Sequence, residues 1–214
     1  MAKVKTLLFD FDGTLMDTTN VIMQSWQQVY KTVTGKEGDE RVILDTFGSM
    51  LKDALKEAFP EESNEKLLKI YRKYQYDNFL DLVEFYPGVE RMLEKVSGRV
   101  EHMALVTSRL KNTTTQAVEK FRLDRYFDVV VTADDCTEHK PDPQPVNLAL
   151  EWLGAEPEGA MMVGDTLFDR ECSRRAGVQS ALVSWAPSID VHSLNGSDVP
   201  DHILERPDDI FKII

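Results

Sequence analysis

Short apolar segments recur along the chain and alternate with segments of helical periodicity. The first, residues 4–9, is followed at once by Asp10 and Gly13, as expected for a buried strand that ends in a tight loop. Later segments of the same character are 103–106, 129–131, 160–163, 181–183 and 202–204. This alternation predicts an α/β fold in which a doubly wound, Rossmann-like parallel sheet carries helices on both faces.

One long segment interrupts the alternation. Residues 16–86 contain no convincing strand, and apolar side chains recur there at helical spacing, as in Ile22 and Trp26. We therefore predict an α-helical cap domain at 16–86, inserted into an α/β core that consists of 1–15 and 87–214. We expect the cap to lie over the edge of the sheet where the strand-end loops emerge.

Composition excludes several classes of protein. Of the 214 residues, 25 are Lys or Arg and 37 are Asp or Glu, and the net charge of −12 excludes a strongly basic nucleic-acid binder. No apolar run approaches the roughly 18 residues of a membrane span, and no signal-peptide pattern is present. We expect a cytoplasmic protein without nucleic-acid or membrane partners, and no obligate protein partner is evident. Cys136 and Cys172 lack CxxC spacing and are expected to be reduced thiols.

Two carboxylates follow the first predicted strand. Side chains two positions apart in a strand point the same way, so we expect Asp10 and Asp12 to share a face. Such a pair is costly unless a cation or a shared proton relieves the repulsion. Gly13 allows a sharp turn, and Thr14 offers a hydroxyl to an anion. The alternative is an ordinary Asx-type turn without chemistry.

Hydroxyls and one lysine follow later strands. Thr107 and Ser108 come just before a predicted helix, where they could bind a phosphate oxygen or simply cap that helix. Lys140 lies in a segment stiffened by Pro141 and Pro143, which favours a fixed ammonium suited to phosphate.

A second carboxylate pair follows the strand at 160–163. Asp165 is expected to reach Asp10, whereas Asp169 could either cap the next helix or support a metal site. Several acidic groups that converge on one place require a hard cation, and an oxygen site with few protein ligands suits Mg²⁺.

Together, these motifs resemble those of the haloacid dehalogenase superfamily. The resemblance rests on DFDGT at 10–14, TS at 107–108, Lys140 before proline, and GDxxxD at 164–169. The helical insert resembles the cap of the phosphoglycolate phosphatase-like branch. The resemblance implies a Mg²⁺-dependent phosphohydrolase, acting on a small anionic phosphorylated substrate.

Family chemistry implies a role for each matching residue. Asp10 would be the nucleophile that forms an aspartyl-phosphate, and Asp12 would be the general acid and base. Thr107, Ser108 and Lys140 would hold the transferring phosphoryl group. The ligands of Mg²⁺ would be Asp10, the main-chain carbonyl of Asp12, and Asp165, with Asp169 in support.

The substrate is predicted from the resemblance to particular members of the branch. Within the branch, the chain most resembles bacterial pyrophosphatases of the PpaX type, on segments such as 71–74, 127–132 and 183–185, which predicts inorganic pyrophosphate. Phosphoglycolate is the main alternative, followed by a sugar phosphate or a β-phosphoglucomutase-like reaction.

Residues of the cap bear on this choice. The β-phosphoglucomutases carry Gly-x-Ser-Arg in the cap, whereas the comparable place here reads Gly48-Ser49-Met50 without arginine, which disfavours a mutase. These three residues could contact the substrate and select it, or they could form a surface turn. Alternatives of a different class are a receiver-like phospho-switch and a non-catalytic binding protein.

Overall fold

The structure is a computed structural model that describes residues 3–47 and 51–214. The chain divides into two compact units. The first runs to Asp17 and resumes at Phe85–Ile214, and the second is Thr18–Glu84. The boundaries predicted from the sequence, 15/16 and 86/87, stay our proposal for the functional domains.

A parallel sheet of six strands forms the centre of the first unit. Its strands are β1 Thr6–Phe9, β4 His102–Val106, β5 Val129–Val131, β6 Ala160–Gly164, β7 Gln179–Val183 and β8 His202–Leu204. The spatial order is β5-β4-β1-β6-β7-β8, and every neighbouring pair is parallel. The predicted doubly wound α/β class is confirmed. Two short strands, β2 Met16–Asp17 and β3 Glu84–Phe85, pair in a separate sheet.

The described residues form eight α-helices, and several of them coincide with the segments of helical periodicity. In the second unit they are α1 Thr19–Thr34, α2 Glu40–Leu44, α3 Leu51–Ala58 and α4 Asn64–Leu82. In the first unit they are α5 Val89–Val96, α6 Lys111–Phe121, α7 Gln144–Leu153 and α8 Leu167–Ala176. No helix in the described part of the chain is long and apolar enough to cross a membrane.

The second unit has its own apolar core. Trp26, Leu55, Leu67 and Tyr71 are buried together, and the Trp26 and Tyr71 rings meet edge to face with centroids 6.2 Å apart. The apolar side chains that recur at helical spacing in the sequence therefore form the core of this unit. The expectation that 16–86 contains no strand is wrong at its two ends, because β2 and β3 form there; strands of two residues are too short to show periodicity.

The central strands are apolar because helices cover both faces of the sheet. Leu7, Leu8 and Phe9 of β1 are all fully buried. Leu8 packs in one cluster with Ala104 of β4 and Met162 of β6. Since β1 lies between β4 and β6, and the chain crosses from one side of β1 to the other, the loops after these three strands flank a topological switch point.

Candidate active site

The carboxyl edge of the sheet brings three predicted site residues together. Asp10, Thr107 and Asp165 directly follow β1, β4 and β6, which are neighbours in register, with Phe9 paired to both Leu105 and Val163. All three are less than a tenth exposed. Residues that directly follow three different strands in the sequence therefore lie together at the carboxyl edge of the sheet.

Lys140 is bound to two of the predicted carboxylates. Its Nζ donates to Asp10 Oδ1 and to Asp169 Oδ1, both at 2.7 Å, and to the carbonyl oxygen of Val106 at 2.7 Å. The side chains of Lys140 and Asp169 are about 4% and 3% exposed, respectively. An ammonium has three donors, so these bonds use all of them.

The segment that carries Lys140 is braced by the side chain of Gln144. Gln144 Oε1 accepts from the amides of Thr137 at 3.0 Å and Glu138 at 2.7 Å, and the Gln144 amide donates to Asp142 Oδ1 at 2.9 Å. Rigidity was predicted from the prolines alone. The contribution of Gln144 was missed, because a side chain that bonds back across several residues leaves no periodic pattern.

Asp165 depends on two residues of the first loop. Thr14 Oγ1 donates to Asp165 Oδ1 at 3.2 Å. The sequence predicted that this hydroxyl could bind an anion, and in the structure its acceptor is a carboxylate of the site. Gly13 has φ +76°, and a Cβ there would overlap the Asp165 carboxylate. Gly13 is therefore required both for the turn and for the approach of Asp165.

Asp169 caps α8 and also binds Lys140, whereas its support of a metal site stays a prediction. Its Oδ2 accepts from the amide and the hydroxyl of Thr166, which forms a capping box at the start of α8, while Oδ1 binds Lys140. A Cβ on Gly164 would overlap Asp169. The need for glycine at 164 was missed; its position beside the acidic motif was the available signal.

One group of acidic side chains in the described chain could hold a metal ion. Ligand oxygens of Asp10, Asp165 and Asp169 lie within 4.8 Å of one another, and all three residues are buried. Three carboxylates oppose the single positive charge of the Lys140 ammonium, which is bonded to two of them, Asp10 and Asp169. Hard oxygen donors with excess negative charge fit a divalent cation such as Mg²⁺.

The pKa values reflect that imbalance. Burial raises the pKa of Asp10 from 3.8 to about 7, although Lys140 opposes the shift. Burial and the adjacent Asp169 and Asp10 also raise the pKa of Asp165 well above its ordinary value. Burial would lower the pKa of Lys140, but Asp10 and Asp169 outweigh it and raise that pKa.

The carboxylate of Asp12 is not part of this group. Its Oδ1 accepts from Nη1 of Arg109 at 2.8 Å. Strand alternation does not fix the face of Asp12, because β1 ends at Phe9, before either aspartate, but the charge of Asp12 still contributes to the raised pKa of Asp10. The partnership with Arg109 was missed, because contact between two loops distant in sequence has no local signal.

Thr107 and Ser108 differ in their surroundings. Thr107 is buried, and its Oγ1 accepts from the amide of Arg109 at 3.1 Å, whereas Ser108 is exposed. The capping alternative for these hydroxyls is wrong, because α6 has Leu110 as its N-cap residue. Their role in binding phosphate stays a prediction.

The sequence predicts three substrate-selecting residues in the cap. Gly48, Ser49 and Met50 lie outside the described residues. Their role stays a prediction from the sequence.

Both cysteines are free. The Cys172 thiol is buried and lies 3.0 Å from the Asp142 carbonyl oxygen, and burial raises its pKa to about 12. The expectation of reduced thiols agrees with this finding, and a thiol of so high a pKa is a poor nucleophile.

A sequence profile of the family described as haloacid dehalogenase-like hydrolase matches residues 7–183. This chain belongs to that family. The match spans all four motifs, so the family resemblance and the predicted enzyme class, a phosphate-ester or pyrophosphate hydrolase, are confirmed.

Individual relatives agree with this assignment. The chain is 32% identical to the pyrophosphatase PpaX of Bacillus cereus over 212 residues, which is 99% of this chain and 97% of that protein. A candidate phosphoglycolate phosphatase from Lactobacillus plantarum superposes with a TM-score of 0.88 at 24% identity, with complete coverage of both chains. A candidate β-phosphoglucomutase from Thermotoga maritima gives a TM-score of 0.75 at 28% identity, with 98% of each chain covered.

Proposed function

We propose that this chain is a Mg²⁺-dependent phosphohydrolase that forms an aspartyl-phosphate on Asp10, with inorganic pyrophosphate as its substrate. The observation that carries this proposal is the buried contact of Lys140 with both Asp10 and Asp169, beside Asp165. It gives the site a fixed carboxylate nucleophile and more negative charge than one ammonium balances. A phosphate substrate and a divalent cation are the complementary ligands of such a site.

The ion would be held by Asp10, Asp165 and the main-chain carbonyl of Asp12, with Asp169 supporting the arrangement through Lys140. When bound, Mg²⁺ neutralises charge on the phosphoryl oxygens, which reduces the repulsion between the substrate and an anionic nucleophile. The raised pKa of Asp10 agrees with a carboxylate that needs such a partner to stay ionised.

In the first half of the reaction, an oxygen of Asp10 forms a bond to phosphorus while the bond from phosphorus to the leaving group breaks. Asp12 donates a proton to the departing oxygen. The hydroxyl of Thr107 and the ammonium of Lys140 hold the transferring group, with Ser108 assisting. Because the three donors of Lys140 are already used, a phosphoryl oxygen must replace one of its present acceptors.

In the second half, water attacks the phosphorus of the aspartyl-phosphate. Asp12, now ionised, accepts the proton of that water, and the bond between phosphorus and the Asp10 oxygen breaks. Inorganic phosphate leaves, and both carboxylates return to their starting states.

Pyrophosphate is favoured as the substrate by the PpaX pyrophosphatases, which match this chain over nearly its whole length. Phosphoglycolate is the second candidate, supported by the neighbour from Lactobacillus plantarum. The leaving group is phosphate in the first case and an alkoxide in the second, and Asp12 serves both as the acid.

The proposal is tested by phosphate release from pyrophosphate, phosphoglycolate, glucose phosphates and nucleoside phosphates, with Mg²⁺ or with EDTA. Asp10→Asn keeps the size of the side chain and removes the nucleophile. Asp53→Asn, an exposed aspartate in the first turn of α3, is the matched control. We expect turnover of pyrophosphate that needs Mg²⁺, disappears in Asp10→Asn and survives in Asp53→Asn.

Other results would change the conclusion in different ways. Preference for phosphoglycolate or a sugar phosphate would keep the mechanism and replace the substrate. Uptake of a single phosphate without turnover would favour a receiver-like switch. Activity that persists in EDTA or in Asp10→Asn would contradict the proposed chemistry.

A further inference from the structure

An ion pair lies beside the acidic cluster, within the first unit. Arg109 Nη1 donates to Asp12 Oδ1 at 2.8 Å. The Arg109 side chain is 7% exposed and that of Asp12 is 28% exposed. The arginine is thus the buried member of the pair, and the carboxylate is the member open to solvent.

Neighbouring groups hold Arg109 in place. Its amide donates to Thr107 Oγ1 at 3.1 Å, and its carbonyl oxygen accepts from the amide of Ala133 at 2.9 Å. Its guanidinium carbon lies 5.9 Å from the centre of the Phe11 ring. Since Phe11 directly precedes Asp12, the guanidinium is fixed against the same loop that presents the carboxylate.

We infer that Arg109 is a positioning residue for Asp12, holding Oδ1 so that Oδ2 faces the leaving group. This inference rests on the proposed acid and base role of Asp12. A partly exposed aspartate without such a partner occupies several staggered rotamers, and only some of them can transfer a proton. The planar, buried guanidinium restricts that choice in a way that a flexible ammonium does not.

A positioning role predicts a dependence on the leaving group. Acetyl phosphate releases acetate, a weak base that departs without a proton, whereas pyrophosphate and phosphoglycolate release strongly basic groups that need the acid. The constant kcat/KM covers only the steps through phosphoryl transfer to Asp10, so it isolates the half-reaction in which Asp12 is the acid. The ratio of kcat/KM values for two substrates is independent of the folded fraction of a variant.

The experiment measures this ratio for wild type, Arg109→Gln, Arg109→Lys and Asp12→Asn with Mg²⁺ present. For Arg109→Gln we expect kcat/KM to fall at least about tenfold with pyrophosphate or phosphoglycolate, whose leaving groups are basic. With acetyl phosphate we expect kcat/KM to fall less than about threefold. Asp12→Asn should show the same bias at about 10²–10⁴-fold, and Arg109→Lys should be intermediate. Arg125→Gln, which removes another arginine from an ion pair with Glu90, should leave the ratio unchanged.

Each contrary result has a separate meaning. An equal loss on both classes of substrate in Arg109→Gln, or no loss, overturns the positioning role, because a structural defect has no leaving-group preference. Absence of the bias in Asp12→Asn overturns both the acid role and this inference. If wild type hydrolyses no phosphate compound in the panel, the proposed function itself fails.

Discussion

Asp10 and Asp12 lie two positions apart in one loop, yet their surroundings differ. Asp10 is buried against Lys140 and two further carboxylates, whereas Asp12 is partly exposed and paired with Arg109. Burial raises the pKa of Asp10 to about 7. Two identical side chains can therefore take different chemical roles, because their surroundings and not their residue type decide how each holds charge.

The difference follows from where the strand ends. Asp10 comes directly after β1 and lies within the buried carboxyl edge, between β4 and β6. Asp12 lies beyond the end of β1, just before the turn at Gly13, and its carboxylate pairs with Arg109 in the loop after β4. A nucleophile gains from fixed, dry surroundings, while an acid that exchanges protons with water gains from partial exposure.

The largest expected effect is on the free energy of unfolding, when Lys140 or Arg109 is replaced by an uncharged residue. Lys140→Met removes the ammonium that pairs with two buried carboxylates, whose side chains are 12% exposed or less. We therefore expect a loss of about 3–5 kcal/mol in the free energy of unfolding. Arg109→Met leaves Asp12, which water can still solvate, so its loss should be about 1–3 kcal/mol. Urea denaturation in EDTA measures both values. A larger loss for Arg109→Met would contradict the contrast drawn between the two carboxylates.

The second prediction concerns pH without metal. Because the pKa of Asp10 is raised from 3.8 to about 7 in the folded state, the folded protein binds this proton more tightly than the unfolded chain. The resulting stabilisation is complete below about pH 4 and disappears as the pH rises through about 7. We expect wild type in EDTA to lose on the order of 2–4 kcal/mol by this route.

Denaturation at about pH 5 and about pH 8 in EDTA checks the sign. Asp10→Asn should remove the part of the decrease that Asp10 causes and leave a part from Asp165, whose pKa is also raised, and Asp12→Asn should keep most of the decrease. Mg²⁺ should stabilise wild type more at the higher pH, since the ion competes with the proton for Asp10. An identical decrease in wild type and Asp10→Asn would assign the pH dependence to other groups.

The third prediction separates backbone strain from crowding of the site. Gly13 and Gly154 both have positive φ, +76° and +63°, but only at Gly13 would a Cβ overlap another group, the Asp165 carboxylate. Both alanine variants incur the cost of a left-handed backbone, about 1–2 kcal/mol. Gly13→Ala should lose about 1–3 kcal/mol more in the free energy of unfolding and should bind Mg²⁺ more weakly. Equal losses would mean that Asp165 moves aside without consequence.

Much of this arrangement could be predicted from the sequence, for a physical reason. Buried parallel strands are continuous apolar segments, and residues that follow neighbouring strands must meet at one edge, so the convergence of Asp10, Thr107 and Asp165 could be foreseen. The contact between Asp12 and Arg109 could not, since it depends on how two loops turn after their strands end. The support of Asp165 by Thr14 was missed for the same reason.

The smallest expected effect tests that support. Thr14→Val keeps the shape of a buried side chain and removes its hydrogen bond to Asp165 Oδ1, at a cost of about 1 kcal/mol in unfolding free energy. Thr114→Val removes a similar bond, from Oγ1 to the carbonyl oxygen of Leu110, and is the control. Both should lose similar stability by urea denaturation.

Only Thr14→Val should weaken Mg²⁺ binding, by about tenfold, because Asp165 loses a group that orients it. Thermal shift titration with Mg²⁺ measures this difference. The Thr14→Val substitution should change kcat/KM by the same factor for acetyl phosphate and for pyrophosphate, because it acts on Asp165 beside Asp10 and leaves the proposed acid, Asp12, in place. A leaving-group dependence in Thr14→Val would mean that the surroundings of Asp10 and Asp12 are coupled, and the separation between the two carboxylates would not hold.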